Sequence, residues 1–182
     1  MQLAALGPEG RYHTRLLAPP DLRALQALFE RAADYFAIAT GGPPASDEAP
    51  RAFVAGPPTK DVSAKRVVGA FTTHDTLIGV LDALTDWPDD GTWSIGMLLL
   101  DPAHRGSGLG GSLLEAFERW AAAEGASRLR TAVVGHHTAG LAFLERRGYA
   151  RESALTDYDA GGRRASVVFL VKPVPQGAPR GK

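Results

Sequence analysis

The 182-residue sequence lacks cysteine and asparagine, has no net charge and contains no long apolar segment. Without cysteine it can form no disulfide framework, thiolate metal site or cysteine nucleophile, and we expect no bound metal. Twenty basic residues balanced by twenty acidic ones argue against a nucleic-acid-binding protein, which carries a basic surface. No segment approaches about 20 consecutive apolar residues, so we expect no membrane-spanning helix. Composition excludes these classes without selecting a function.

The composition is that of one globular domain. Apolar residues make up 45% of the chain and charged residues 22%, which argues against disorder. The first seven residues lack the basic start and apolar core of a signal peptide, so we expect a cytoplasmic protein. We assign residues 1–172 to a single domain and predict a flexible tail over the Pro- and Gly-rich residues 173–182.

Apolar periodicity predicts an α/β fold. Strands are predicted at residues 12–17, 66–72, 77–84, 93–100, 129–134 and 166–171, with one more starting near Tyr149. Helices are predicted after Asp21, after the glycine-rich residues 104–112 and at 141–147, and residues 40–61 predict loop and short helix. Gly161 and Gly162 predict the turn between the last two strands. This order predicts one mixed sheet of about seven strands flanked by helices.

Residues 104–112, His-Arg-Gly-Ser-Gly-Leu-Gly-Gly-Ser, are the most informative segment, because they lie between a predicted strand and an amphipathic helix. Backbone N–H groups and the helix dipole favour anions at the start of a helix. Glycines let a phosphate approach the backbone closely, and Arg105 adds a positive charge. The segment predicts a pyrophosphate site, with a tight helix start that binds no ligand as the structural alternative.

Two common phosphate-binding motifs fit this segment poorly. A P-loop requires a lysine followed by Ser or Thr after its last glycine, whereas Gly111 and Ser112 follow Gly110. Gly106, Gly108 and Gly111 have the spacing of a dinucleotide fingerprint. That fingerprint requires a tight strand-to-helix turn and an acidic residue about twenty positions further on, and neither is present.

The pattern Arg105-x-x-Gly108-x-Gly110, with Pro102 three residues before the arginine, resembles motif A of the Gcn5-related N-acetyltransferases (GNAT). In that family the motif binds the pyrophosphate of acetyl-coenzyme A. Residues 97–102 resemble the strand before the motif, and residues 140–149 resemble motif B of the family. The similarity covers about residues 10–172. It implies a GNAT-like fold and an acetyl-coenzyme A-dependent N-acetyltransferase, in which the acetyl group passes directly from the thioester to an amine within a ternary complex.

The resemblance also implies where the cofactor binds. Leu98 and Leu100 would give backbone hydrogen bonds to the pantetheine arm, with Leu99 facing the other way, and a splay between this strand and the next would make room for the arm. A backbone N–H near Leu98 would polarise the thioester carbonyl as an oxyanion donor. The implied cofactor-binding residues are Leu98, Leu100, Arg105, Gly106, Ser107, Gly108, Leu109, Gly110, Gly111, Ser112 and His137.

Two positions depart from the pattern of the family. Leu144 stands where the family often has a tyrosine that acts as general acid, and His137 stands where it often has an asparagine that contacts the cofactor. His137 either contacts the cofactor or caps the following helix, and we interpret His136 as a solvated loop residue. The missing tyrosine leaves a second function open, a non-catalytic acyl-coenzyme A-binding or sensing protein on the same fold.

The general base and the acceptor site are less well defined by the sequence. Asp82, on a predicted strand near the cleft, is our candidate base, with a structural ion pair as the alternative. Asp34, Tyr35 and Phe36 lie where the family forms its acceptor pocket, which implies a small-molecule amine or a peptide as acceptor. Asp86, near the predicted cleft, is a candidate to hold a cationic acceptor, with a turn carboxylate or an ion pair as the alternative. Dimers are common in the family, and the sequence does not decide between a monomer and a homodimer.

Overall fold

The sheet and its helices are defined over residues 2–6, 10–159 and 164–175, which this computed structural model describes. The strands are β1 (Gln2–Leu6), β2 (Tyr12–Leu16), β3 (Lys65–Thr72), β4 (Leu77–Leu84), β5 (Thr92–Leu100), β6 (Arg128–Val134), β7 (Ala150–Asp159) and β8 (Arg164–Pro173). The helices are α1 (Leu22–Arg31), α2 (Ala33–Ala39), α3 (Glu48–Val54), α4 (Leu109–Ala123) and α5 (Thr138–Arg146). The strands form one sheet in the order β1-β2-β3-β4-β5-β6-β8-β7.

Helices cover the sheet and give it two apolar cores. In the first, which we call the α4-side core, α4 and α5 bury Leu113, Phe117 and Leu141 against the strands. In the second, the α1-side core, α1 and α2 bury Leu28 and Phe36. Because apolar residues recur at helical spacing, each helix presents one apolar stripe to the sheet.

The sheet opens between β5 and β6, the one parallel pair of neighbours in the described sheet. The crossover that parallel strands need is supplied by α4. Pairing between them runs from Thr92 with Arg128 to Ile95 with Thr131 and stops there. Beyond this point β5 continues to its end beside β4 and β6 continues beside β8, with a gap between the two strands. The predicted splay is therefore present.

Gly96 forms a β-bulge in β5. The ladder with β4 pairs Asp82 with Met97 and Ala83 with Ile95, which leaves Gly96 as the extra residue on β5. A bulge bends its strand and locally increases the twist. This one lies one residue beyond the point where β5 stops pairing with β6, so it marks the start of the gap.

The bulge also reverses the alternation of side chains along β5. Before it, Ile95 lies in the α4-side core, whereas beyond it Leu99 lies in the α1-side core with 2% of its surface exposed. Leu98 and Leu100 pack against the α4-side core. The expectation that Leu99 faces away from Leu98 and Leu100 is confirmed, but the bulge that sets this orientation is not predicted by the sequence pattern.

The predicted fold class is confirmed, since a single mixed α/β sheet is flanked by helices. The described sheet has eight strands, because β1 precedes Tyr12, where the first predicted strand begins. The Gly- and Pro-rich residues 40–61, predicted as loop and short helix, contain α3. None of the helices in the described residues is long and apolar enough to cross a membrane.

The predicted tail is described only at its beginning. Pro173 ends β8, and Val174 is buried, with its N–H donating to the carbonyl of Ser127 at 3.0 Å. These two residues therefore pack with the sheet. Residues 176–182 lie outside the described residues, as does the predicted turn at Gly161 and Gly162.

Candidate cofactor and active site

The glycine-rich segment forms the turn between β5 and α4. Gly108 precedes the first helical residue, Leu109, and has a φ of 85°, in the left-handed region that favours glycine. The N–H groups of Gly110 and Gly111 find no acceptor among the described residues. The positive end of the helix dipole lies at the same place. The start of α4 is therefore able to bind an anion.

The space in front of this turn is open. A Cβ added at Gly106 or at Gly108 would meet no atom within 4 Å. Ser107 turns back into the loop, where its hydroxyl donates to the carbonyl of His104 at 2.7 Å and accepts from the N–H of Leu109 at 3.4 Å. The hydroxyl of Ser107 thus shapes the loop, and the predicted cofactor ligand at this position is its backbone N–H.

Arg105 connects the glycine turn with α2. Its Nη2 lies 2.9 Å from Oδ1 of Asp34, its Nη1 bonds to the second carboxylate oxygen, and its Nε donates to the carbonyl of Leu100 at 3.2 Å. The hydrogen bond from Arg105 holds the pKa of Asp34 below its usual value, so the carboxylate is charged at neutral pH. Asp34, predicted in the acceptor pocket, lies beside the glycine turn, where it pairs with Arg105.

Two cavities lie along the gap between β5 and β6. The larger, of about 420 Å³, lies next to the glycine turn and includes Asp34, Arg105 and Gly110 in its lining. The smaller, of about 210 Å³, extends to the bulge and is lined by residues of β5, β6 and α5. The residues that line both cavities are Tyr35, Leu98, His137, Gly140 and Phe143.

The walls of the cavities include residues that sequence reasoning missed. Gly140 and Phe143 are three positions apart on α5, the spacing that brings two residues to one helix face, and both line the two cavities. That spacing within motif B is the signal that could have identified them. Leu144, at the position of the tyrosine of the family, lines the smaller cavity and gives it an apolar wall.

His137 lies at the junction of the two cavities. It occupies the N-cap position of α5, but its side chain makes no capping hydrogen bond, so the capping alternative is wrong. Burial lowers the pKa of His137, helped by the nearby His136 and Arg105. His136, predicted to be solvated, has its Nε2 3.1 Å from the carbonyl oxygen of Ile38, so it connects this loop to α2.

Asp82 forms a buried ion pair. Its Oδ1 lies 3.1 Å from Nζ of Lys65, and both side chains are 8% exposed. Burial raises the pKa of Asp82, although Lys65 and the N–H of Gly96 oppose the shift. Asp82 is absent from the linings of both cavities. This position supports the structural ion pair over the catalytic base.

The four predicted acceptor residues do not form one pocket. Tyr35 lines both cavities, and burial raises the pKa of its hydroxyl well above the usual value. Phe36 is 2% exposed within the α1-side core, so its role is packing. Asp86 accepts a hydrogen bond from the N–H of Gly91 at 3.0 Å and shapes the turn before β5. Of these residues, only Tyr35 and Asp34 reach a cavity.

A helix start able to bind an anion, next to a gap between two parallel strands, is the arrangement that the resemblance to acyl-coenzyme A-dependent acyltransferases implies. A sequence profile described as the acetyltransferase (GNAT) family matches residues 24–149. The chain belongs to this family and is an acyltransferase.

Solved structures have the same fold. An acetyltransferase from Thermus thermophilus matches 95% of this chain and 99% of its own, with 24% identity and a TM-score of 0.70. Spermidine N-acetyltransferase from Vibrio cholerae, in complex with CoA and spermine, matches 92% and 98%, with 16% identity and a TM-score of 0.72. The ribosomal-protein-S18-alanine N-acetyltransferase from Escherichia coli matches 94% and 99%, with 16% identity and a TM-score of 0.70. No curated protein sequence gives a significant match.

Proposed function

We propose that the protein transfers an acetyl group from acetyl-coenzyme A directly to an amine, with both substrates bound at once. The observation that carries the proposal is that the anion-binding turn before α4 and the gap between β5 and β6 form one continuous site. The pyrophosphate and the extended pantetheine arm are two connected parts of a coenzyme A molecule, and the turn and the gap would bind one each.

The residues of the site suit these two parts. The free N–H groups of Gly110 and Gly111 and the guanidinium of Arg105 would bind the pyrophosphate. Ser112 in the first turn of α4 remains a predicted ligand of the same phosphates. Backbone groups of Leu98 and Leu100, on the edge of β5 that has lost its partner, would bind the pantetheine arm.

The chemistry needs an oxyanion donor and a free amine. Past Ile95, the backbone groups of β5 have no partner on β6. We assign the N–H of Leu98 as the hydrogen-bond donor to the thioester carbonyl oxygen. The chain has no cysteine to carry an acyl group, which supports direct attack by the amine. The C–N bond forms, the C–S bond breaks, and coenzyme A leaves as the thiol after taking up the proton that the amine loses.

The acceptor would approach through the smaller cavity, where Tyr35 is the polar side chain contributed by α2. The named acceptors of two structural neighbours, spermidine and the alanine of a ribosomal protein, support an amine on either a small molecule or a peptide. A second candidate, an acyl-coenzyme A sensor without turnover, is favoured by one observation, the apolar Leu144 at the position of the acid in the family.

Calorimetry with acetyl-coenzyme A tests the site, using two matched variants. Gly108 and Gly125 both have positive φ and open space around an added Cβ, so replacement by alanine strains both backbones, by roughly 1–2 kcal/mol. Only Gly108 lies at the anion site. We expect Gly108→Ala to weaken binding at least 10-fold and Gly125→Ala to leave it unchanged. Equal affinities of all three proteins would contradict the assignment.

Release of free thiol across a panel of amines separates the two candidate functions. Turnover with any small amine or peptide N-terminus supports the acetyltransferase. Binding of acetyl-coenzyme A without thiol release from any member of a panel that includes polyamines, amino acids and peptides supports the sensor.

A further inference from the structure

Five residues line both cavities, and His137 is the one among them that exchanges a proton near neutral pH. Leu98, Gly140 and Phe143 have no ionisable group. The hydroxyl of Tyr35 is also there, but burial raises its pKa further above the neutral range. Among the residues that line both cavities, the imidazole of His137 is therefore the one group able to transfer a proton near neutral pH.

The imidazole ring of His137 makes no hydrogen bond to another described residue. It makes no capping bond to α5, and its nitrogens have no hydrogen-bond partner among the described residues, in contrast to His136, which contacts the carbonyl of Ile38. The ring lies against the first turn of α5, because a Cβ added at Gly140 would come within 2.7 Å of its Nδ1. Glycine at position 140 therefore makes room for this imidazole inside the site.

The surroundings favour the neutral imidazole. Arg105 from the glycine turn and His136 from the same loop both disfavour a positive charge, in addition to burial, while Asp34 from α2 opposes them more weakly. Tyr35, also on α2, is neutral at these pH values. With the pKa of His137 lowered, its ring is predominantly neutral at pH 7 and able to accept a proton.

We propose that His137 is the catalytic acid and base of the transfer, an inference that rests on the function proposed above. The amine nitrogen attacks the thioester carbon, and its proton moves to the imidazole as the C–N bond forms. When the C–S bond breaks, the imidazolium returns that proton to the sulfur of coenzyme A. No proton or electron is gained or lost overall, and one residue replaces the acid that Leu144 cannot supply.

Replacing His137 with asparagine distinguishes this role from a contact with the cofactor. Asparagine is the residue that the resemblance places here as a cofactor contact, so His137→Asn preserves a polar contact and removes the proton transfer. We expect the Kd for acetyl-coenzyme A by calorimetry to stay within about 2-fold, and kcat to fall about 10² to 10⁴-fold, the usual contribution of such a group. His137→Gln should behave in the same way.

The pH profile of kcat/KM gives a second readout. In the wild type, activity should rise with pH through the pKa of His137, because the neutral ring is the active form. His137→Asn and His137→Gln should lose this rise in activity. They should keep the part of the profile that reflects ionisation of the acceptor amine. His136→Gln is the matched control, since its amide can still donate to the carbonyl of Ile38. It should keep the rising limb, displaced to higher pH because His136 lowers the pKa of His137.

Other outcomes overturn the inference in distinguishable ways. A fully active His137→Asn, or one whose loss lies in the Kd for acetyl-coenzyme A with kcat unchanged, assigns His137 to cofactor binding. A wild type that releases no thiol with any amine removes the proposed function and this inference together. If the wild type turns over and both His137 variants keep the same rise of kcat/KM with pH, the role of His137 is contradicted while the proposed function stands.

Discussion

At the scale of single residues, Arg105 has two competing anionic partners. Asp34 binds it through both carboxylate oxygens, and the pyrophosphate of the proposed cofactor would be the second. Arg105 is 39% and Asp34 56% exposed, so the pair contributes less than about 1 kcal/mol to stability. We expect a larger effect on binding, because the carboxylate of Asp34 would repel phosphates at the glycine turn and it already pairs with the guanidinium.

We therefore predict that Asp34→Asn strengthens the binding of coenzyme A, by about 2- to 10-fold in Kd at low salt, as one nearby charge is removed. The gain should shrink in high salt. Asp47→Asn is the control, since Asp47 forms a similarly exposed pair with Arg51 on α3, and it should leave Kd unchanged. A weaker Kd for Asp34→Asn would mean that Asp34 orients Arg105 for the phosphates, contrary to this argument.

The sequence predicts the residues of the turn better than their partners. Spacing within residues 104–112 is a local property, and the glycine turn with its free N–H groups forms where the pattern places it. Asp34 and Arg105 are 71 positions apart, and their contact depends on where α2 packs. For the same reason the sequence does not identify Lys65 as the partner of Asp82, because that contact depends on how β3 and β4 align.

At the scale of elements, the bulge in β5 depends on a buried contact across the strands. A Cβ on Gly96 would come within 2.5 Å of Oδ1 of Asp82, the oxygen that faces Lys65. The carboxylate thus fills the space that any other residue at position 96 would need. A glycine within a strand signals such a bulge in the sequence, but only the register shows where the alternation changes.

We predict that Gly96→Ala destabilises the protein by about 2–3 kcal/mol, because the methyl group displaces Asp82 from Lys65 and leaves two buried charges poorly paired. It should also lower kcat, since β5 carries the N–H that we assign to the thioester oxygen. Chemical denaturation and thiol-release assays measure the two effects. Gly42→Ala is the control, because a Cβ there meets no atom within 4 Å. Equal stability of both variants would contradict the proposed contact.

At the scale of the whole molecule, the sheet consists of two halves with a short connection. β1 to β5 form one half, and β6, β8 and β7 form the other. The halves pair directly over four residues of β5, from Thr92 to Ile95. The order of strands along the chain could be predicted from the sequence, but the place where β5 and β6 separate could not. Residues 93–100 are predicted as one strand, and Gly96 within it does not indicate where pairing with β6 ends.

Binding in the gap should therefore stabilise the two edges that face each other. On addition of coenzyme A we expect slower hydrogen exchange at β5 amides of residues 97–100 and at those β6 amides of residues 132–134 that face the gap. At 100 times Kd the whole protein gains about 2.7 kcal/mol. The internal control is the set of amides in the β3–β4 pair that exchange through local opening, and their hydrogen-exchange rates should change little. Gly108→Ala at the same ligand concentration should show less protection, whereas protection spread evenly over the sheet would place the ligand outside the gap.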